Sequence, residues 1–157
     1  MKYIFLGIVV FLMSNFSRAQ IETEHALGLR LGGSNGLGYE ISYQRAVDLQ
    51  NRWQFDLGAK SNNDLNIFKF STAYQWVHDL SALAIGFNWY YGAGAGIGAV
   101  DGSSASETFV NILANLGLEY NFDFPLQLSL GVRPEFGIVN GGNLSTDLAL
   151  GVRYSFD

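Results

Sequence analysis

From Leu144 to Phe156 the chain alternates without a break. Leu144, Thr146, Leu148, Leu150, Val152, Tyr154 and Phe156 fall on one side, and Ser145, Asp147, Ala149, Gly151, Arg153 and Ser155 on the other. A period of two dictates a β-strand with one apolar face and one small or polar face. Globular strands usually run about five or six residues. A strand crossing a bilayer at a tilt needs roughly 9–11. The alternation therefore predicts the closing strand of a transmembrane β-barrel, and it is silent on what the barrel does.

The same pattern recurs upstream. It predicts strands over about His25–Gly32, Leu37–Ala46, Arg52–Lys60, Ile67–Val77, Ile85–Val100, Phe109–Phe122 and Leu126–Phe136, which with the last make an all-β, eight-stranded, antiparallel up-and-down barrel. Ser34-Asn35-Gly36 is a hairpin turn, because Asn-Gly accepts the positive φ that such turns demand. Leu113 is an apolar residue on a polar face. Pro134 has no N–H to give a ladder, so a bulge or fraying end is expected there.

Composition agrees with this reading. The 157 residues suffice for one domain, with 48% hydrophobic, 15% aromatic and only 15% charged side chains. No run beyond the N-terminus could form a membrane helix. Nineteen glycines against two prolines suit strands and tight turns. The lack of cysteine removes disulfides, thiolate metal sites and cysteine nucleophiles. Residues 1–19 have the make-up of a signal peptide: Lys2, an apolar stretch from Ile4 to Met13, and Ser17-Arg18-Ala19 as a cleavage site before Gln20. That stretch is too short to span as an anchor. Residues 20–157 are then the barrel domain. Removing Lys2 and Arg18 from the 9 basic residues leaves 7 against 14 acidic ones, a net charge of −7 that argues against a nucleic-acid partner.

Side-chain size decides which face points inward. Trp, Phe, Tyr and Leu fill the apolar faces, while Gly, Ala, Ser, Asn, Gln and charges fill the others. An eight-stranded barrel has a narrow interior that cannot hold rows of aromatic rings. The bulky face must point out, toward lipid, and the interior is polar. A soluble lipocalin-like barrel would have the opposite arrangement. The polar faces carry Arg30, Lys60, Lys69, Arg133 and Arg153 against Glu40, Asp56, Glu119, Glu135 and Asp147, equal numbers of each sign, as a confined lumen favours. Symmetric hairpins would place Arg30 near Glu40, Arg133 near Asp147, and Lys60 opposite Lys69, with Asp56 and Glu40 near enough to compensate the two lysines. The expectation is a hydrogen-bonded plug. With the N-terminus in the periplasm, Tyr43, Trp53, Trp76, Trp89, Tyr120, Tyr154 and Phe156 fall near the periplasmic strand ends as an aromatic girdle.

Signals for chemistry are weak. Gly94-Ala-Gly96-Ile-Gly98-Ala99 matches a loose dinucleotide fingerprint, but that motif must open a helix, and here it continues a strand. His25 and His78 map to the periplasmic end, away from Ser103, Ser104 and Ser106 in an outer loop, so no nucleophile–base pair is expected. No metal site, catalytic residue or cofactor is expected.

Asn88-Trp-Tyr-Tyr-Gly-Ala-Gly-Ala-Gly96, Leu128-Ser-Leu-Gly-Val-Arg-Pro-Glu-Phe136 and Leu148-Ala-Leu-Gly-Val-Arg-Tyr-Ser-Phe156 resemble the small outer-membrane β-barrel proteins common in Bacteroidota, in the broad OmpA/OmpX-like group. The resemblance covers essentially the whole mature chain. It implies outer-membrane lipid as surroundings and, during insertion, the barrel-assembly machinery, whose signal the last strand is similar to. Asp157 after Phe156 departs from that signal by one residue. No OmpA-type peptidoglycan-binding domain is expected, since the chain ends with the barrel. The role expected is structural or one of surface contact with a partner not specified by the sequence; a narrow solute channel and a lipid-modifying enzyme are the alternatives.

Overall fold

A computed structural model describes residues 23–32, 38–62, 65–102, 106–140 and 142–157. The leader with its Ala19-Gln20 junction, the Ser34-Asn35-Gly36 turn, Ser103 and Ser104 lie outside the described residues. The strands are β1 (His25–Gly32), β2 (Tyr39–Ala46), β3 (Asn51–Asn62), β4 (Leu65–Asp79), β5 (Phe87–Gly102), β6 (Ser106–Asn121), β7 (Leu126–Val139) and β8 (Leu144–Phe156). Each pairs antiparallel with the next, and β8 returns to β1 through registers from His25↔Phe156 to Gly32↔Ala149, closing the barrel. Closure leaves no unpaired sheet edge, the condition for a sheet to sit in hydrocarbon.

Several strands outrun their expected bounds. β3 and β4 pair through Ser61↔Asn66 to Asn62↔Leu65, and β4 and β5 through Asn66↔Asp101, across residues read from sequence as polar connections. Backbone pairing does not depend on side-chain polarity, so polarity alone marks a strand end poorly. β2 and β5 instead begin later than expected, at Tyr39 and Phe87. Gly38 and Gly86 stand just before them at φ 87° and 85°, a left-handed backbone that cannot continue a strand.

The faces are inverted relative to a soluble core. Inside lie Gln75 (0% exposed), Arg133 (1%) and Arg153 (2%); outside lie Phe70 (43%), Leu150 (45%) and Trp53 (39%). Tyr90 and Leu113 are large lumen residues. Tyr90 fits because glycines face it: a Cβ on Gly117 would come 2.5 Å from its ring carbon Cζ, and one on Gly131 2.5 Å from its hydroxyl. The glycines of Gly94–Gly98 likewise continue β5, and no helix starts there.

Pro134 behaves differently from expectation. It stays paired with Thr146 of β8. The register shift lies farther along β7, where Val110↔Val139 gives way to Asn111↔Gly137 and leaves Ile138 as the extra residue. A gap in the β6–β7 ladder between Leu113↔Glu135 and Leu116↔Val132 absorbs the missing N–H without changing the alignment.

Close strand approach gives a direct test. A Cβ at Gly94 would stand 1.9 Å from the Thr72 carbonyl oxygen, which has no freedom to move aside. Gly94→Ala is expected to lower the stability of the folded barrel by about 1–3 kcal/mol. The measurement is the urea midpoint in lipid vesicles, with the unheated fast-migrating band on an SDS gel reporting the folded fraction.

Candidate functional site

The inward faces of the strands line one polar lumen, because residues two apart share a face and each strand spans the barrel. Near the terminal end of the barrel, where β1 begins and β8 finishes, Arg52 makes a forked pair with Glu119, at 2.6 and 3.1 Å. Its Nε donates to Gln75 at 2.8 Å, and its guanidinium lies 5.1 Å from the centre of the Tyr90 ring. A planar fork of this kind both satisfies the charges and fixes their orientation. A cavity of about 250 Å³ opens beside this pair toward the terminal end, lined in part by Asn88, Gln127, Phe122 and Phe124.

Arg153 occupies the next layer. It donates to the Ser42 hydroxyl at 2.8 and 3.0 Å, to that of Ser129 at 2.9 Å, and to Gln127 at 3.3 Å. No carboxylate of the described residues forms an ion pair with it.

Arg133 is the hub. Its guanidinium meets Glu40 at 2.7 Å, Asp56 at 3.1 Å, Glu135 at 2.8 Å and Asp147 at 3.8 Å. Arg30 takes the other oxygen of Glu40 and an oxygen of Asp147, both at 2.6 Å. Toward the opposite end Lys69 is gripped by both oxygens of Glu135, which also accepts from Asn111.

These placements separate what alternation brings together from what it does not. Arg30 and Glu40 face each other in the β1–β2 register, as do Arg133 and Asp147 in the β7–β8 register. The short contacts of Arg133 nonetheless run across the lumen, to Glu40 on β2 and Asp56 on β3, which strand neighbours cannot reveal. Lys60 needs correction. It sits opposite Ile67, not Lys69, is only half-buried, and forms no ion pair with a described residue. Lys69 faces Gly58, and Glu135 rather than Asp56 or Glu40 is its partner. The residue missed is Arg52, buried at 3%. It shares parity with Gln54 and Asp56, a signal present in the sequence but obscured because Arg52 stood at an expected strand start. With Arg52 in place of Lys60, the buried lumen charges still balance, Arg30, Arg52, Lys69, Arg133 and Arg153 against Glu40, Asp56, Glu119, Glu135 and Asp147.

Outside, aromatic rings touch from strand to strand near the terminal end. Tyr154, Phe156, His25, Tyr43 and Phe55 follow one another with centroids 5.4–6.3 Å apart. Trp53, Tyr74, Trp76 and Tyr91 continue the chain at 5.0–6.3 Å, and His78 stacks on Trp89 at 4.7 Å. Tyr120 belongs to a separate group with Phe87 and Phe122. The two histidines and Phe55, Tyr74, Tyr91, Phe87 and Phe122 were not among the residues expected in this belt.

A closed sheet with charges inside and an apolar, aromatic wall outside defines a transmembrane-type eight-stranded β-barrel. Solved structures share the architecture. The N-terminal β-barrel domain of Pseudomonas aeruginosa OprF aligns with a TM-score of 0.67 at 14% identity, covering 85% of this chain and 98% of that one. Neisserial surface protein A aligns at 0.58 and 18%, covering 84% and 95%. The Yersinia pestis outer membrane protein Ail aligns at 0.50 and 15%, covering 86% and 100%. At these identities the likeness is one of fold. No protein-family model and no curated protein matches the chain.

The hub generates a prediction. Arg133→Met leaves four buried carboxylates short of a cation, and removing one member of a buried ion network costs roughly 3–5 kcal/mol. Denaturant unfolding of the lipid-inserted protein is expected to show a loss of that size, with the larger part recovered in Arg133→Met/Asp56→Asn/Asp147→Asn.

Proposed function

We propose that this chain is an integral protein of the bacterial outer membrane whose barrel is plugged, and whose role is structural or one of contact at the cell surface. The observation that carries this reading is Arg133. It joins carboxylates of β2, β3, β7 and β8 through the middle of the lumen, where a conduction path would have to pass. Arg153, the Arg52–Glu119 pair and the Lys69–Glu135 pair fill the levels on either side. The fold likeness to proteins named as outer-membrane and surface proteins supports the location. On this reading the aromatic belt lies at the periplasmic boundary of the bilayer, where amphipathic rings are favoured. The leader is removed after Ala19, the last strand engages the barrel-assembly machinery, and a surface partner meets the opposite end.

A lipid-modifying role has less support. His25 and His78 stand in the aromatic belt at the terminal end, while Ser106 at the other end donates to Asp101. No histidine stands beside that serine among the described residues.

Two measurements test the proposal. Outer-membrane fractions are expected to hold a protein of mature mass beginning at Gln20, migrating faster on SDS gels when unheated. The purified protein in planar bilayers is expected to show no unitary conductance steps at neutral pH; regular steps would make it a narrow channel and overturn the plug.

A further inference from the structure

Among the described residues the lumen takes up most of the positive charge. Arg30, Arg52, Lys69, Arg133 and Arg153 are buried inside, and Lys60 is half-buried toward the opposite end. Among the described residues Arg45 is the one exposed cation, and it forms no ion pair with any of them. It sits on β2 directly between His25 of β1 and Trp53 of β3, in the aromatic belt. A cleft of about 380 Å³ opens there, lined by Arg45, Thr23, Glu24, Val47, Asp48 and Leu49.

The composition of this cleft is selective. Arg45 supplies a planar cation suited to a phosphate. The Glu24 side chain is 78% exposed and lines the same cleft, its carboxylate 3.9 Å from His25 Nε2 and otherwise open to solvent. Glu24 is held in place by its backbone, whose carbonyl accepts from Ala46 and whose N–H donates to Asp157. Asp48 is spoken for, since its oxygens accept from the amides of Gln50 and Asn51 and from the Asn51 side chain. Val47 (55% exposed) and Leu49 (59%) give the cleft an apolar lip, and the lipid-facing side chains Tyr43 and Ile41 continue down β2 below it. A phosphate beside Arg45, an ammonium beside Glu24 and hydrocarbon along the wall together make a zwitterionic lipid. A free phosphate would leave Glu24 facing it and the apolar lip unused.

We propose that Arg45 and Glu24 form a binding site for the headgroup of an ethanolamine phospholipid at the terminal end of the barrel. Arg45 takes the phosphate. Glu24 accepts hydrogen bonds from the primary ammonium, which has three N–H donors, whereas the quaternary ammonium of choline has none. Anionic glycerol headgroups satisfy Arg45 but bring Glu24 only neutral hydroxyl donors and no positive charge. The inference rests on the membrane placement proposed above.

Trp53, the register partner of Arg45, is a built-in reporter. The full mature chain carrying Trp76→Phe and Trp89→Phe is inserted into phosphatidylcholine vesicles. These contain equal mole fractions of brominated phosphatidylethanolamine, phosphatidylglycerol or phosphatidylcholine, and the unheated SDS-gel band verifies insertion. Failure to insert would count against the membrane placement; with insertion shown, quenching addresses the site alone. Trp53 is expected to be quenched with about fivefold preference for the ethanolamine lipid, equivalent to ~1 kcal/mol. Arg45→Gln is expected to abolish the preference, and Glu24→Gln to remove the distinction between ethanolamine and choline lipids. Soluble phosphoethanolamine at millimolar concentration is expected to leave quenching unchanged. Equal quenching by all three lipids, a preference for the glycerol lipid, persistence of the ethanolamine preference in either variant, or displacement by the soluble headgroup would each overturn the site.

Discussion

A single guanidinium holds the interior together. Arg133 lies on β7, yet the carboxylates it gathers come from β2, β3 and β8 as well as its own strand. Ions of either sign stay inside so narrow a barrel only when paired or held by several hydrogen bonds, because desolvation costs several kcal/mol per ion. The pairing in turn ties opposite walls to each other. Around the hub the charges are unevenly arranged: Arg30, Lys69 and Arg133 face Glu40, Asp56, Glu135 and Asp147, leaving one excess negative charge. One layer nearer the termini, Arg153 supplies the compensating positive charge with only hydroxyl and amide partners. Neutrality holds over the lumen as a whole and not within each layer.

Space is the second constraint. The lumen admits Tyr90 only where Gly117 and Gly131 leave their Cβ positions empty. The tyrosine then supports Arg52 through its ring face, and Arg52 fixes Glu119. Glycines that look like gaps in the sequence are thus what lets an aromatic ring and a buried ion pair share one level of the barrel.

The exterior follows from the same division. Among the described residues, five of the seven cations are drawn into the lumen, and the outer wall is left mainly with aliphatic and aromatic side chains and a single exposed arginine. An isolated cation among rings and a neighbouring carboxylate has a chemical character that a surface strewn with lysines would lack. Asp157, which in sequence departs from the aromatic ending of the resembling family, has a place here: it accepts from the Glu24 amide across the β1–β8 seam.

Alternation of side chains carried the strand count, the faces and the inward position of Arg30, Glu40, Asp56, Lys69, Glu119, Arg133, Glu135, Asp147 and Arg153, because a period of two is a local property of an extended chain. It failed at Lys60 and Arg52, both near strand ends, where a sequence gives no measure of how far the ladder runs. The cross-lumen partners of Arg133, the empty positions around Tyr90 and the cleft at Arg45 were decided by tertiary structure alone. They depend on the stagger with which β8 meets β1, and only closing the sheet sets that stagger and brings strands distant in sequence face to face.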